Sequence, residues 1–286
     1  MIAASGFLRA IDLRADGGGF VATTQPVPWP KAYGGDLLAQ AAAAATRTVA
    51  GDRVLHSTHA LFVAPASVGA TLRYDVEQLR DGRSYSSRRV TATEDGRVVV
   101  SALISFHTGE RSPLVSTTSR PAPAPTEVPD VRARLAGRDD AIAQYWAEGR
   151  GFDLRHIDAA VYAAPQEDAG SGEVRLWVRA HGALPDDPTV HRLALIYVCD
   201  YAMLEPALRV HGWAWSDPGL TTASLDHALW LHEDARLDEW LLCELRLVSH
   251  SHGRALVQGE FFTAAGAHVA SVAQQGMIRR RHAAAS

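Results

Sequence analysis

Cysteine is scarce: Cys199 and Cys243 are the only two in 286 residues, and each sits in an apolar run. They read as reduced core thiols, which excludes a disulfide framework and points to a cytoplasmic setting. No stretch approaches a membrane-spanning run of about 18 apolar residues, so no membrane partner is expected. Neither end carries a basic-then-apolar leader or a readable address, and the chain finishes in AAAS. Charge is nearly balanced, 28 basic against 32 acidic residues for a net −4, so a phosphate-neutralising surface is missing and nucleic acid is excluded as a partner. Paired C-x-x-C motifs, an H-E-x-x-H helix and a G-x-S-x-G elbow are all absent. What is present is ordinary globular composition, 47% hydrophobic and 21% charged. That is enough to bury a core without disulfide or metal staples, and the length suggests about two domains.

The clearest break falls between Ser112 and Asp130, where SPLVSTTSRPAPAPTEVPD gathers Pro113, Pro121, Pro123, Pro125 and Pro129. Prolines at alternate positions favour extended chain and cannot donate to a sheet ladder. The segment reads as a linker leading into a short helix over Val131–Trp146. This divides the chain into 1–112, a linker region 113–150, and 151–286. In the first part, a strand in GGFVATTQ precedes a helix from Asp36 as N-cap to Val49, with Gly51 as its stop. The helix interior, LLAQAAAAATRTV, is alanine-rich, so another layer can approach it closely. Four strands follow: VLHSTHALFVA, ATLRYDVEQLR, SYSSRRVTATE and RVVVSALISFH, with Asp95-Gly96 as a two-residue hairpin turn between the last two.

The second part repeats the plan. FDLRHIDAAVY and GEVRLWVRA read as strands, and a helix opens at Asp187-Pro188 and is disrupted by Pro206. Four more strands follow in ASLDHALWLH, EWLLCELRLVS, GRALVQGEFFTA and HVASVAQQGMIRR. THALFV at 58–63 echoes DHALWL at 226–231, and Gly96 answers Gly266. The near-constant spacing argues for internal duplication over two unrelated α+β domains. One long helix and an antiparallel meander per part predict an α+β fold in which a sheet wraps a helix, twice.

At this point the residues carry a resemblance. YGGDLLAQA, LHSTHALFVAP, LRDGRSYSSRRV, VCDYAMLEPAL, ASLDHALWLH and ASVAQQGMIR run in order from residue 33 to 279 and resemble the TesB-like acyl-CoA thioesterase II family, whose fold is the double hotdog. The resemblance implies hydrolysis of fatty acyl-CoA to free fatty acid and CoA by an activated water, without a covalent acyl-enzyme and with no cofactor. It also implies a homo-oligomer. The family holds its water with an aspartate, a threonine or serine, and a glutamine from the second hotdog. Motif by motif these fall on Asp200, Ser224 and Gln274. Ser224 stands where family members commonly have threonine, which keeps the hydroxyl but loses a stiffening methyl.

Without the resemblance the residues say less. Asp200 shares a helical face with Leu193, Ile196, Tyr197 and Leu204, and a carboxylate on an apolar stripe is costly unless paired or protonated. It is either a water-activating acid with a raised pKa or half of a buried ion pair with Arg89 or Arg175. The pattern does not separate Gln274 from Gln275; only the motif does. Ser224, Asp226 and His227 invite a triad, but alternation along a strand puts Ser224 and Asp226 on one face and His227 on the other. His56 and His59 bracket HSTH, and His250 and His252 form H-S-H. They read as structural or site-lining histidines, with no metal called for. Arg80, Arg83, Arg88 and Arg89 surround an Asp81-Gly82 turn, either as a solvated hairpin end or as contacts for CoA phosphates. His56, His59, Arg88 and Arg89 are the candidate substrate contacts. Gly17-Gly18-Gly19 lacks a dinucleotide-loop context and reads as a flexible turn. Two rival functions stand beside hydrolysis: a double-hotdog enoyl-CoA hydratase, whose Asp–His loop is not found, and a non-catalytic acyl-CoA-binding module.

Overall fold

The computed structural model describes residues 5–109, 113, 115–158, 160–162 and 170–280. The expected boundary at Ser112 and the AAAS end lie outside them. The first half contains α1 (Ser5–Ala10), β1 (Arg14–Asp16), β2 (Gly19–Thr23), α2 (Gly34–Thr46), β3 (Val54–Phe62), β4 (Thr71–Asp81), β5 (Tyr85–Glu94) and β6 (Arg97–His107). Short helices α3 (Val131–Arg134) and α4 (Ala141–Gln144) follow. The second half contains β7 (Phe152–His156), β8 (Glu173–Ala180), α5 (Pro188–Cys199), α6 (Glu205–His211), β9 (Leu220–Leu231), β10 (Leu241–Ser251), β11 (Arg254–Thr263) and β12 (His268–Arg280).

All strands join one 12-stranded sheet in the order β1-β2-β4-β5-β6-β3-β9-β12-β11-β10-β8-β7. Each half therefore repeats the other in mirrored order, and the halves meet where β3 pairs antiparallel with β9. His59 lies opposite Ala228 and Ala60 opposite His227. Burial and hydrogen bonding match Thr58 to His227 and Leu61 to Trp230, one residue off the THALFV/DHALWL echo, so His59 faces outward where His227 faces inward. Asp95 and Gly96 both adopt positive φ, +48° and +80°, which is the conformation of a two-residue hairpin turn whose twist matches its strands. Gly17 and Gly18 do the same between β1 and β2, at +50° and +86°. The expected flexible turn is thus a tight hairpin.

α2 and α5 pack against each other, and alanine is what permits it: Ala39 and Ala41 to Ala45 are all buried, with no side chain larger than a methyl. Both helices depart from their expected limits. α2 begins at Gly34 with Tyr33 as N-cap, so Asp36 is not the cap but a fully buried first-turn residue; the helix ends at Thr46 rather than Val49. α5 opens as expected, with the Asp187 carboxylate accepting from Thr189 N–H at 2.8 Å and Pro188 in the first turn. It stops at Cys199, and Pro206 sits in the first turn of α6, a position that needs no N–H, rather than breaking α5. The expected helix over 131–146 is split into α3, α4 and a wider turn over Tyr145–Gly149, because Gly137 takes a positive φ of +85°. β7 stops at His156, well short of Tyr162.

From Pro121 to Pro125 the proline-rich segment is pinned to the sheet. Arg175, Trp177 and Arg155 donate to the carbonyls of Pro121, Pro123 and Pro125 at 3.1, 2.9 and 3.0 Å. Proline carbonyls lie free in extended chain, so side chains of β7 and β8 can take them in sequence.

Asp36 is a carboxylate buried in this core. Its Oδ2 accepts from Gln25 N–H at 2.6 Å and its Oδ1 from Gln40 Nε2 at 3.4 Å, with no cation among its partners. Burial pushes its pKa up to about 7. The folded state then holds a proton that the unfolded chain releases near pH 4, so stability falls as pH rises from about 4 to about 7, by up to about 4 kcal/mol. Asp36→Asn removes this slope. Thermal melts should show the wild type losing stability between pH 5 and pH 8 relative to the variant; parallel curves would contradict the assignment.

Candidate active site

Three side chains from three elements converge at the end of α5. Asp200 is the C-cap of α5 (φ −79°), held where the helix stops and the chain turns toward α6. Its Oδ1 accepts from Ser224 Oγ on β9 at 2.8 Å and from Gln274 Nε2 on β12 at 2.7 Å. Gln274 Nε2 also donates to Ser224 Oγ at 3.0 Å, closing a triangle. The structure brings Asp200, Ser224 and Gln274 together, and Gln275 is not one of them: its N–H donates to Asp226 Oδ1 instead.

A register break builds this geometry. β9 and β12 pair Asp226 with Gln275 but Ser224 with Gly276, leaving Leu225 as an extra residue. The bulge reverses the alternation, so Ser224 turns to the side of Gln274 and away from that of Asp226. This corrects the expectation that Ser224 and Asp226 share a face. His227 stands opposite Gln274, is buried, and is pushed down to about 3 by burial. Neither of its ring nitrogens has a protein partner and it makes no hydrogen bond to Ser224, so no triad forms.

Burial raises the Asp200 pKa, opposed in turn by the hydrogen bonds from Ser224 and Gln274, the charge of Lys31 and the Gly35 N–H. The ion pair with Arg89 or Arg175 is not formed: Arg89 pairs with Glu77 at 2.9 Å and Arg175 with Asp158 at 3.6 Å.

The first half supplies the far wall, which the sequence reading did not assign. A Cβ on Gly34 would fall 2.5 Å from Asp200 Oδ2 and 3.1 Å from the Phe62 ring. One on Gly35 would fall 2.0 Å from the Tyr197 carbonyl oxygen. Lys31, half-buried in the loop before α2, donates from Nζ to the Thr222 carbonyl on β9. Tyr33 stacks on Tyr201 at 4.4 Å and donates to the Tyr197 carbonyl at 2.6 Å, bracing the end of α5 from behind. The signal for these residues lay in YGGDLLAQA, where two adjacent glycines directly precede a helix.

The other candidates lie elsewhere. Arg88 is 1% exposed and all its donors are used, on Asp81, Thr48 and the carbonyls of Arg80 and Ser87. It ties the end of α2 to β4 and has nothing left for a phosphate, which corrects both readings of the hairpin arginines at this position. His56 pairs with Ser105 Oγ at 2.9 Å beside His107 and Tyr85. His59 is exposed on the outer face of the sheet, edge-on to Trp230. His250 lies against His211. Among the described residues, no group of three or more His, Cys, Asp or Glu is placed to hold a metal ion, and no helix is long and apolar enough to cross a membrane.

Among the described residues, the first half holds no second copy of the site. The matching registers carry Ser224 back to Leu55 and Gln274 back to Ile104, and α2 ends on Arg47 where α5 ends on Asp200. A carboxylate is missing from that position, so it cannot activate water in the same way.

Comparison with known proteins agrees with this architecture. A family model described as acyl-CoA thioesterase matches residues 156–277, and one described as acyl-CoA thioesterase N-terminal domain matches residues 25–107. Acyl-CoA thioesterase 2 of Haemophilus influenzae is 28% identical over 266 residues, covering 91% of this chain and 92% of that protein. Acyl-coenzyme A thioesterase 8 of Mus musculus is 31% identical over 257 residues, covering 86% of this chain and 80% of that protein. The crystal structure of acyl-CoA thioesterase II TesB2 from Mycobacterium marinum superposes with a TM-score of 0.80 at 30% identity, covering 96% of this chain and 98% of that one.

Proposed function

The chain belongs to the TesB-like acyl-CoA thioesterase II family, a double-hotdog enzyme that hydrolyses acyl-CoA thioesters, and we propose that Asp200, Ser224 and Gln274 hold and activate the water that does so. The observation that carries this reading is the triangle on Asp200 Oδ1, with bonds of 2.8 and 2.7 Å from Ser224 and Gln274. Both donors are spent on one oxygen, which leaves Oδ2 on the side of Gly34.

Oδ2 is then the oxygen that takes the proton from water. Gln274 Oε1, buried without a protein partner, accepts the water's other hydrogen and fixes its orientation. The water oxygen bonds to the thioester carbonyl carbon, and the carbonyl electrons move onto oxygen. Collapse of that adduct breaks the C–S bond, and the proton held by Asp200 passes to the departing CoA sulfur. Asp200 returns to its carboxylate form, and the net change is thioester plus water to acid plus thiol. Ser224 acts by orientation: its proton is committed to Asp200 and its lone pair to Gln274, so it is not poised as a nucleophile. Fatty acyl chains as the substrate class, a cytoplasmic setting and homo-oligomeric assembly complete the proposed reading. The two buried free cysteines support the setting, and the exposed Leu61, Leu103 and Trp230 on the outer sheet face support the assembly.

Following free thiol released from acyl-CoA tests the roles. Removing one hydrogen bond to a charged group costs about 1.5–3 kcal/mol, so Ser224→Ala should lower kcat by about 10- to 100-fold. Ser224→Thr keeps the donor and should stay within a few-fold of the wild type. Wild-type turnover in both Ser224→Ala and Gln274→Ala would refute the triangle as the water site.

A further inference from the structure

The site of the second half has a charged neighbour from the first. Lys31 lies in the loop between β2 and α2, and its Nζ donates to the carbonyl of Thr222, two residues before Ser224 and 191 residues away in sequence. The same loop continues through Tyr33 into Gly34 and Gly35, which press against Asp200 and the end of α5. The lysine is therefore fixed at the joint between the halves, with its ammonium within electrostatic reach of the Asp200 carboxylate.

The remaining groups around Asp200 are neutral. Ser224 faces it from β9, Gln274 from β12 and the Gly35 N–H from α2. Tyr33 in the lysine's own loop and Cys199 beside Asp200 on α5 are both kept protonated by burial. Of the groups that act most strongly on Asp200, Lys31 is the charged one. An ammonium confined near a carboxylate at reduced dielectric favours the ionised acid, and confinement by the Thr222 carbonyl spares the entropy an exposed pair loses.

We propose that Lys31 is a positioning residue, the counter-charge that holds Asp200 in its carboxylate form at neutral pH, so that the catalytic half is completed by a cation from the half that has no site of its own. The proposal rests on Asp200 being the acid that activates water. Burial alone favours its protonated form, which cannot accept a proton. The hydrogen bonds from Ser224 and Gln274 offset that tendency, and Lys31 adds the one charge among them without touching substrate.

The test is the pH dependence of kcat/KM for thiol release in Lys31→Met and Lys31→Arg. Methionine keeps the length of the stem and removes the charge; arginine keeps the charge. In Lys31→Met the midpoint of the acid limb should move up by about one pH unit. Well below the wild-type midpoint that variant should run about tenfold slower than the wild type, and the two should converge at pH values above both midpoints. Lys31→Arg should keep the wild-type midpoint. An unmoved acid limb in Lys31→Met overturns the proposal, as does an equal loss at every pH, which marks mere packing. A rise in KM alone also overturns it, because it assigns the lysine to CoA phosphates. Asp200→Asn run in parallel separates the two levels of the argument. Full activity there sinks the site and the lysine's role together, whereas a normal loss beside an unmoved Lys31→Met limb sinks only the lysine's role.

Discussion

Asp200→Asn should lower kcat for acyl-CoA hydrolysis by about 10²- to 10⁴-fold, the range of a lost general base, with KM changed little. Asparagine is nearly isosteric, and its carbonyl oxygen can still accept from Ser224 and Gln274 as Oδ1 does now at 2.8 and 2.7 Å. The fold around the end of α5 should therefore survive, and the variant should melt within a few degrees of the wild type. What is lost is the oxygen that takes a proton, because an amide nitrogen cannot. Removing a buried charge whose burial is costly should, if anything, stabilise the protein slightly. The measurement is thiol release at saturating acyl-CoA, beside a circular dichroism melt. A folded variant with more than a tenth of wild-type kcat would rule out Asp200 as the base.

Gly35→Ala should be strongly destabilising. The new Cβ would sit 2.0 Å from the Tyr197 carbonyl oxygen and 2.6 Å from the Tyr33 ring. The first is backbone where the start of α2 meets the end of α5, so the strain cannot be relieved by a rotamer change. Overpacking of this kind costs about 3 kcal/mol or more when neither side can yield. Relief requires α2 to withdraw from α5, which carries Gly34 and Lys31 away from Asp200, so activity should fall with stability. Gly51→Ala is the control, since a Cβ there meets nothing within 4 Å. Urea titration should show a clear drop in the midpoint for Gly35→Ala and none for Gly51→Ala. Equal midpoints would mean that the helix contact is looser than the structure has it.

Local rules account for what was readable in advance. Period-two alternation and the Asp95-Gly96 turn located β5 and β6, and the echo of THALFV in DHALWL located β3 and β9 as equivalent strands. Asp187-Pro188 marked the start of α5 because capping is settled within one turn. The misses have a common physical origin in contacts between distant segments. Asp36 looked like a cap because asp–helix capping is common, but Gln25 and the packing of α2 draw it into the core. Arg88 looked like a surface arginine until Asp81 and Thr48 are brought around it. The bulge at Leu225 has no glycine or proline on its own strand, only Gly276 across from Ser224, and it decides which way Ser224 faces. Asp200 and Gln274 came from the motif resemblance, while Lys31, whose partner lies 191 residues on, was not legible at all.

The seam between β3 and β9 also sets how the molecule can fail. Because the two strands exchange backbone hydrogen bonds at the centre of the sheet, neither half has a finished edge of its own. Separating them would bare two long, flat strands whose unpaired amides invite any passing strand, the usual starting point of aggregation. Loss of the seam and loss of the fold are thus one cooperative event, and partial unfolding should begin instead at the short outer strands β1 and β7. A half made alone would carry the same raw edge, and its most economical remedy is to pair with its own copy, recreating as a two-chain dimer the arrangement that duplication has joined into one.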